Sequence, residues 1–263
     1  MKSVQLNQTI NFLYNQVFSV TTRVLIQRTL QDYYSTYPPA DTVFANAYSD
    51  FQTAIGSQST LYAGQIYTNN FTQLTNLTYS TVSYPFPQSL YPTAIPPTPP
   101  GNNLNTSAGQ VLGPVSVPAS PGLYALSFTI PIVNNNASSQ PLILGYVSMI
   151  VSAAGLLRAV NDSTGMGQTG QTLVVQKTNS QYEIMLPPLR NPELFGQSFN
   201  LSQFPAVQLA FQNQTGYLID TNNALGNGVS VGYTVFFSPS LVDSLIHSFL
   251  TCVSWNGVSS LNN

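Results

Sequence analysis

Leu6, Ile10, Leu13, Val17, Val20 and Val24 follow one another at steps of 4, 3, 4, 3 and 4 residues. Asn, Gln, Ser and Thr are frequent between them. That spacing puts six apolar side chains on one stripe of a helix, at the period of a coiled-coil seam. A single helix is predicted over residues 1–37: Gln27 and Gln31 interrupt the stripe, and Pro38-Pro39 ends it. The stripe spans few heptads. It either packs on the chain's own domains or pairs with its twin in a dimer, and different faces can serve both.

Downstream the period changes. A second helix is expected from Asp41, a candidate N-cap, to Ile55, with Gly56 at its end. Leu61–Tyr67 and Phe71–Tyr79 read as strands, the latter exposed on one face. Seven prolines between Tyr84 and Asn103 forbid a ladder or helix, so that stretch is a loop. Leu123–Val133 and Ile143–Val151 read as a pair of strands around a loop at Asn134–Gln140, followed by a helix over Ser152–Val160. After the glycine-rich break Gly165–Gly170, strands are expected at Thr172–Thr178, Tyr182–Leu186, Gly216–Asp220 and Val229–Phe237. Antiparallel strands with helices set apart argue for an α+β fold rather than βαβ units.

Six basic and eight acidic residues make up only 5% of the 263, where an ordinary soluble domain carries roughly 25%. Something other than charge must keep the surface wet. Sequons stand at Asn7, Asn70, Asn76, Asn105, Asn136, Asn161, Asn200 and Asn213, and a glycan is strongly hydrated. The composition points to an extracytoplasmic, N-glycosylated domain. A net charge of −2 with scattered basic residues gives no footprint for nucleic acid. Cys252 stands alone, so no internal disulfide or cysteine metal cluster can form. The first eighteen residues lack the apolar run of a secretory signal. No run reaches the roughly 18 apolar residues of a membrane span. A sequon-rich chain without an entry signal is expected to be a fragment whose anchor lay before Met1.

Candidate chemistry is sparse. The one histidine, His247, lies near the end, so a Ser-His-Asp triad has little to draw on. Glu183 and Asp220 are the carboxylates that neighbouring strands would have to bring together for a glycosidase. Gly165–Gly170 (GMGQTG) lacks the lysine of a phosphate loop and precedes a strand. No catalytic residue, cofactor or metal site is expected.

Several blocks carry a family resemblance. TIPIVNNNASSQPLILGYVSMIVSAAGLLRAV is similar to the distal module of double-Cache extracellular sensors, and QTLVVQKTNSQYEIMLP to the opening of their second module. LNQTINFLYNQVFSVTTRVLIQ, GYVSMIVSAAGLLRAVND and TNNALGNGVSVGYTV together resemble the extracellular region of fungal Sln-type osmosensing hybrid histidine kinases. The resemblance implies a long coupling or dimerisation helix (1–37) and PAS/Cache-like modules, membrane-distal over 38–162 and membrane-proximal over 163–240. Residues 241–263 form an atypical tail: from Phe236 onward the chain departs from the family. Where amino-acid-sensing relatives carry an aspartate, counting from Gly145, Ile150 stands here, so amino-acid binding is not carried over.

The resemblance further implies a sensor on the extracellular face of the plasma membrane, anchored by flanking helices and coupled to a kinase absent from this chain. Its homodimer would form through the N-terminal helix. A pocket between the distal sheet and a covering loop would be lined by Tyr62, Tyr67, Tyr124 and Phe128 and take a small polar ligand. The same four side chains suit an ordinary core equally. Gly145 is read as structural, and Arg158 as an i+4 partner of Asp162. The rival reading is a glycosylated cell-surface structural or adhesion protein without kinase coupling.

Overall fold

The computed structural model describes residues 2–35, 43–57, 59–78, 85–94, 109–134, 142–164, 166, 170–178, 180–212, 214–222, 228–235 and 249–255. The chain divides into two compact units. One consists of Met1–Ile10, Ala154–Ser238 and Ile246–Asn263, the other of Asn11–Ala153 and Pro239–Leu245. Each contains one antiparallel sheet, so the α+β class expected from the strand succession is the class observed.

The expected 37-residue helix is two helices, α1 (Lys2–Thr21) and α2 (Val24–Ser35). Hydroxyls compete for the last carbonyls of α1: Thr21 Oγ1 donates to Phe18 O (2.8 Å) and Thr22 Oγ1 to Ser19 O (3.0 Å). Such local bonds offer the backbone an alternative to the helix ladder. The Arg23 carbonyl then accepts the first bond of α2 from Gln27 N, and Arg23 pairs with Asp50. The break resets the helical phase. Leu6, Ile10, Leu13, Val17 and Val20 are all at most 3% exposed, whereas Val24 is 74% exposed. The chain itself covers the first five, so a twin helix would not meet them.

In the unit containing Asn11–Ala153, the strands are β1 (Leu61–Thr68), β2 (Gln73–Thr78), β3 (Gln110–Ser116), β4 (Tyr124–Asn134) and β5 (Leu142–Ser152), in the order β2-β1-β5-β4-β3. Helices take one face. Phe51 and Ile55 of α3 (Val43–Gly56) lie so close to Gly64 that a Cβ there would come within 2.4 Å of the Phe51 ring. Leu30 of α2 lies over Gly145, and Tyr14 of α1 meets Phe128 edge-on. On the opposite face an apolar cluster of Ala63, Ile150, Ala125 and Val117 packs with Phe86 and Leu90. Those two residues come from the proline-rich loop, which here forms a short 3-10 turn at Gln88–Leu90.

The other unit orders its strands β8-β7-β6-β11-β10-β9. These are β6 (Gln171–Thr178), β7 (Gln181–Ile184), β8 (Ser198–Asn200), β9 (Gly216–Asn222), β10 (Gly228–Val235) and β11 (Phe249–Trp255), with helices α4 (Ala154–Asn161) and α5 (Pro205–Ala210). Leu173, Val175, Tyr182, Ile184, Val229 and Val231 form its core with Phe204 and Val207 beside and on α5. Residues 249–255, expected to belong to an atypical tail, supply a strand between β6 and β10. Asp162 pairs with Lys2 instead of the expected Arg158.

Candidate functional site

Pairing register decides which residues the loop side of the first sheet offers. Gln65 of β1 stands opposite Ser148 of β5, which stands opposite Thr129 of β4, which stands opposite Gln110 of β3. Residues directly paired across strands share a face, so four polar side chains form one row across four strands. Gln65, Ser148 and Thr129 are each at most 6% exposed. Thr129 Oγ1 donates to Ser148 Oγ at 3.1 Å. Ser127 Oγ and Gln110 Oε1, buried on this face, have no hydrogen-bond partner. Such groups are uncommon in a folded interior and call for an explanation.

Gln65 also lines a cleft of about 440 Å³ between the β1–β2 hairpin and residues 85–93, within the roughly 300–1,000 Å³ of small-molecule sites. Tyr67, Phe71 and Gln73 contribute from the hairpin, and Phe86, Gln88 and Tyr91 from the loop. The Tyr67 hydroxyl donates to Gln65 Oε1. Phe71 stacks on Tyr67 and meets Tyr146 edge-on at 5.7 Å. Burial, helped by the neighbouring Tyr91, pushes the Tyr67 phenol up to about 12. Burial also raises Tyr91 and Tyr146. All three stay neutral hydrogen-bonding groups through the physiological range.

The four predicted pocket residues do not meet. Tyr67 lines the cleft. Tyr62 falls where the β1–β5 register slips between Leu61 and Ala63, and it stacks on Phe86 at 5.8 Å. Phe128 is fully buried on the helix face against Tyr14. Tyr124, four residues earlier in the same regularly paired strand, shares that face and is half-buried. Sequence reasoning missed Gln65, Gln73, Gln88 and Tyr91. The one signal for Gln65 was its position two residues before Tyr67, on the same strand face. Ile150 is buried among Ala63, Phe86 and Leu90.

The other candidates separate or fall outside the described residues. Glu183 on β7 and Asp220 on β9 have β6, β11 and β10 between them. Four strand spacings put roughly 19 Å between the two strands, and the side chain of Asp220 lies outside the described residues. His247, most of 165–170, Asn105, Asn136 and Asn213 lie outside the described residues, as does the side chain of Asn76. Asn7, Asn70, Asn161 and Asn200 are exposed. Among the described residues no group of three His, Cys, Asp or Glu could hold a metal ion. No described helix is long and apolar enough to cross a membrane.

No family model matches the chain. It is 27% identical over 244 residues to the osmosensing histidine protein kinase SLN1 of Saccharomyces cerevisiae, across 86% of this chain and 20% of that protein. The chain thus spans about a fifth of the length of the curated relative it matches. Among solved structures, the periplasmic sensory domain of the Campylobacter jejuni chemoreceptor Tlp1 superposes with a TM-score of 0.55 at 11% identity, over 97% of this chain and 91% of that one. The extracellular domain of mmHK1S-Z2, named as a histidine kinase, gives 0.54 at 13% identity, over 97% and 94%. The ligand-binding domain of the Pseudomonas fluorescens chemoreceptor CtaA in complex with L-alanine gives 0.51 at 13%, over 96% and 92%. The chain has the PAS/Cache-like fold of the periplasmic and extracellular sensory domains of chemoreceptors and histidine kinases.

Proposed function

We propose that this chain is the extracellular sensor region of a membrane-anchored hybrid histidine kinase of the fungal Sln type. It would respond to an osmotic stimulus and pass the signal to a kinase outside this chain. The observation that carries the reading is the conjunction of the sensory-domain fold with a match to SLN1 running through 86% of the chain. Ligand or stimulus would bias two arrangements of the modules, and α1 would hand the difference on. The sequons would carry glycans on the outer surface. The dimer belonging to this reading would use the outer side of the N-terminal helices, where Phe12, Val24 and Leu25 are exposed.

A chimera tests the reading. This chain replaces the matching fifth of SLN1, and histidine phosphorylation is followed as osmolarity is raised. Phosphorylation that changes with osmolarity is the expected result. A chimera that reaches the membrane yet holds a constant output would overturn it. For the dimer, Phe12→Asp and Val24→Asp in that chimera should lower crosslinking between copies.

A further inference from the structure

We propose that the cleft beside Gln65 takes a neutral, polyhydroxylated small molecule, of the sugar or sugar-alcohol class, and rejects amino acids and other ions. The inference deepens the sensor reading and rests on it for its physiological meaning.

The lining carries the choice. None of the described residues around the cleft bears a formal charge: its polar groups are the amides of Gln65, Gln73 and Gln88, the phenols of Tyr67 and Tyr91, and Thr93. An amide offers both donors and acceptors, as does a ligand hydroxyl, which is likewise both. A carboxylate or ammonium entering this cleft would leave water without gaining a counter-charge from those residues. The rings of Phe71 and Phe86 add apolar faces, which suit the C–H faces of a sugar. The tyrosines remain protonated throughout the physiological range, so nothing in this set changes charge there.

The polar row extends inward from the cleft. Gln65 belongs both to the cleft and to the row Gln65–Ser148–Thr129–Gln110, beside which Ser127 Oγ is fully buried without a partner. A core strand face gains nothing from such groups when dry. Gln65 is the member of this row that lines the cleft, so a hydroxyl-rich ligand would meet the row there with a hydrogen-bonding partner that an apolar ligand cannot offer.

Isothermal titration of the whole chain tests this, with sorbitol and trehalose as neutral probes and L-alanine, L-glutamate and L-lysine as charged ones. Calorimetry is preferred to a melting shift because sugars stabilise any protein by exclusion from its surface, without saturating. The expected result is a saturable isotherm for a neutral probe, constant within about twofold between about pH 5 and pH 9 and insensitive to salt. Gln73→Leu and Gln88→Leu, at exposed positions that leave the fold intact, should each weaken it about tenfold or more. Tighter binding of an amino acid would overturn the neutral class and leave the sensor reading standing. Saturable binding indifferent to both substitutions would overturn the cleft assignment. No saturable heat from any probe would overturn the inference as well. Polyol binding by a chain whose chimera is mute would instead refute the sensor reading alone.

Discussion

The ring of Phe71 lies flat on that of Tyr67, with centroids 4.4 Å apart and planes 7° from parallel. Phe71 reaches this position from a φ of 67°, a region that costs an L-residue about 1–2 kcal/mol. The turn around it leaves little alternative. Thr68 N donates to Thr72 O at 2.9 Å, Phe71 N to Thr68 O at 3.0 Å, and Thr72 Oγ1 to Asn70 Oδ1 at 3.1 Å. Strain held in place by surrounding bonds is common where a ligand site must be pre-shaped. Here it sets an aromatic wall over the cleft.

That strain reverses an ordinary ranking. Phe71→Ala loses both ring contacts and keeps the left-handed backbone, whereas Phe71→Gly loses the rings and the strain together. After allowing for the greater freedom of unfolded glycine, the Gly variant should be the more stable by about 0.5–1 kcal/mol. Urea unfolding of the two variants measures the difference. An Ala variant at least as stable as the Gly one would mean that the turn is not left-handed.

Alkaline stability should report the buried phenol. Tyr67 in the folded chain is pushed up to about 12 by burial first and Tyr91 second, against about 10 when unfolded. Below about pH 10 both states are protonated and the contribution is whole. As pH rises toward 12 the unfolded chain ionises first, so stability falls. In Tyr67→Phe that fall should be shallower, though not absent, because Tyr14, Tyr34, Tyr91 and Tyr146 shift the same way. Urea midpoints between about pH 9 and pH 12 would show the two slopes. Parallel slopes would refute the assignment.

The apolar stripe was legible in the sequence, but its partner was not. A helix on its own domain and a helix in a dimer share one spacing, and only burial distinguishes them: five stripe residues are covered by the chain, and Val24 lies past the break in the helix. Tyr67 stood out in the sequence as a strand aromatic with a hydroxyl, and it lines the cleft. The places of Tyr124 and Phe128 were not legible, because which face a strand turns inward depends on its register with strands far away in sequence. β3 escaped notice because Gly113-Pro114 interrupts it, and Gly113 sits at φ 87° where the register with β4 shifts. β11 escaped notice because residues 241–263 read as an atypical tail with no strand of its own. The polar row of Gln65, Ser148, Thr129 and Gln110 involves four separate strands, so no local pattern could reveal it.

Two glycines should respond unequally to the same substitution. A Cβ on Gly145 would lie 2.2 Å from the Tyr67 carbonyl oxygen, which is strand backbone and cannot withdraw. Gly145→Ala should therefore cost about 1–3 kcal/mol and disturb the strand that carries Tyr67. A Cβ on Gly155 would meet only Thr9 Cγ2, at 2.9 Å, a methyl on a β-branched side chain whose Oγ1 donates to Gln5 O. Alanine there gains up to about 1 kcal/mol of helix propensity in α4. That gain offsets part of the contact, so Gly155→Ala should cost less than Gly145→Ala, and denaturant midpoints of the pair would check the order.

The pairing of Lys2 with Asp162 predicts an asymmetry between its two ends. Lys2 is 5% exposed and its partner's side chain 33%. The ammonium, more than Thr164, holds the Asp162 carboxyl well below the usual carboxylate range. Asp162→Asn leaves a buried cation without its counter-charge, whereas Lys2→Met keeps the apolar stem and leaves a half-exposed carboxylate in water. The Asn variant should melt lowest, and adding Lys2→Met to it should raise its melting temperature. A carboxyl held low in the fold contributes stability that is whole above its unfolded value and is lost as pH falls toward the folded one. The gap between the wild-type chain and Asp162→Asn should accordingly narrow below about pH 4. Arg158→Ala, at an exposed position that the pairing bypasses, should leave the melting temperature unchanged. A drop there equal to that of Asp162→Asn would return the carboxylate to Arg158.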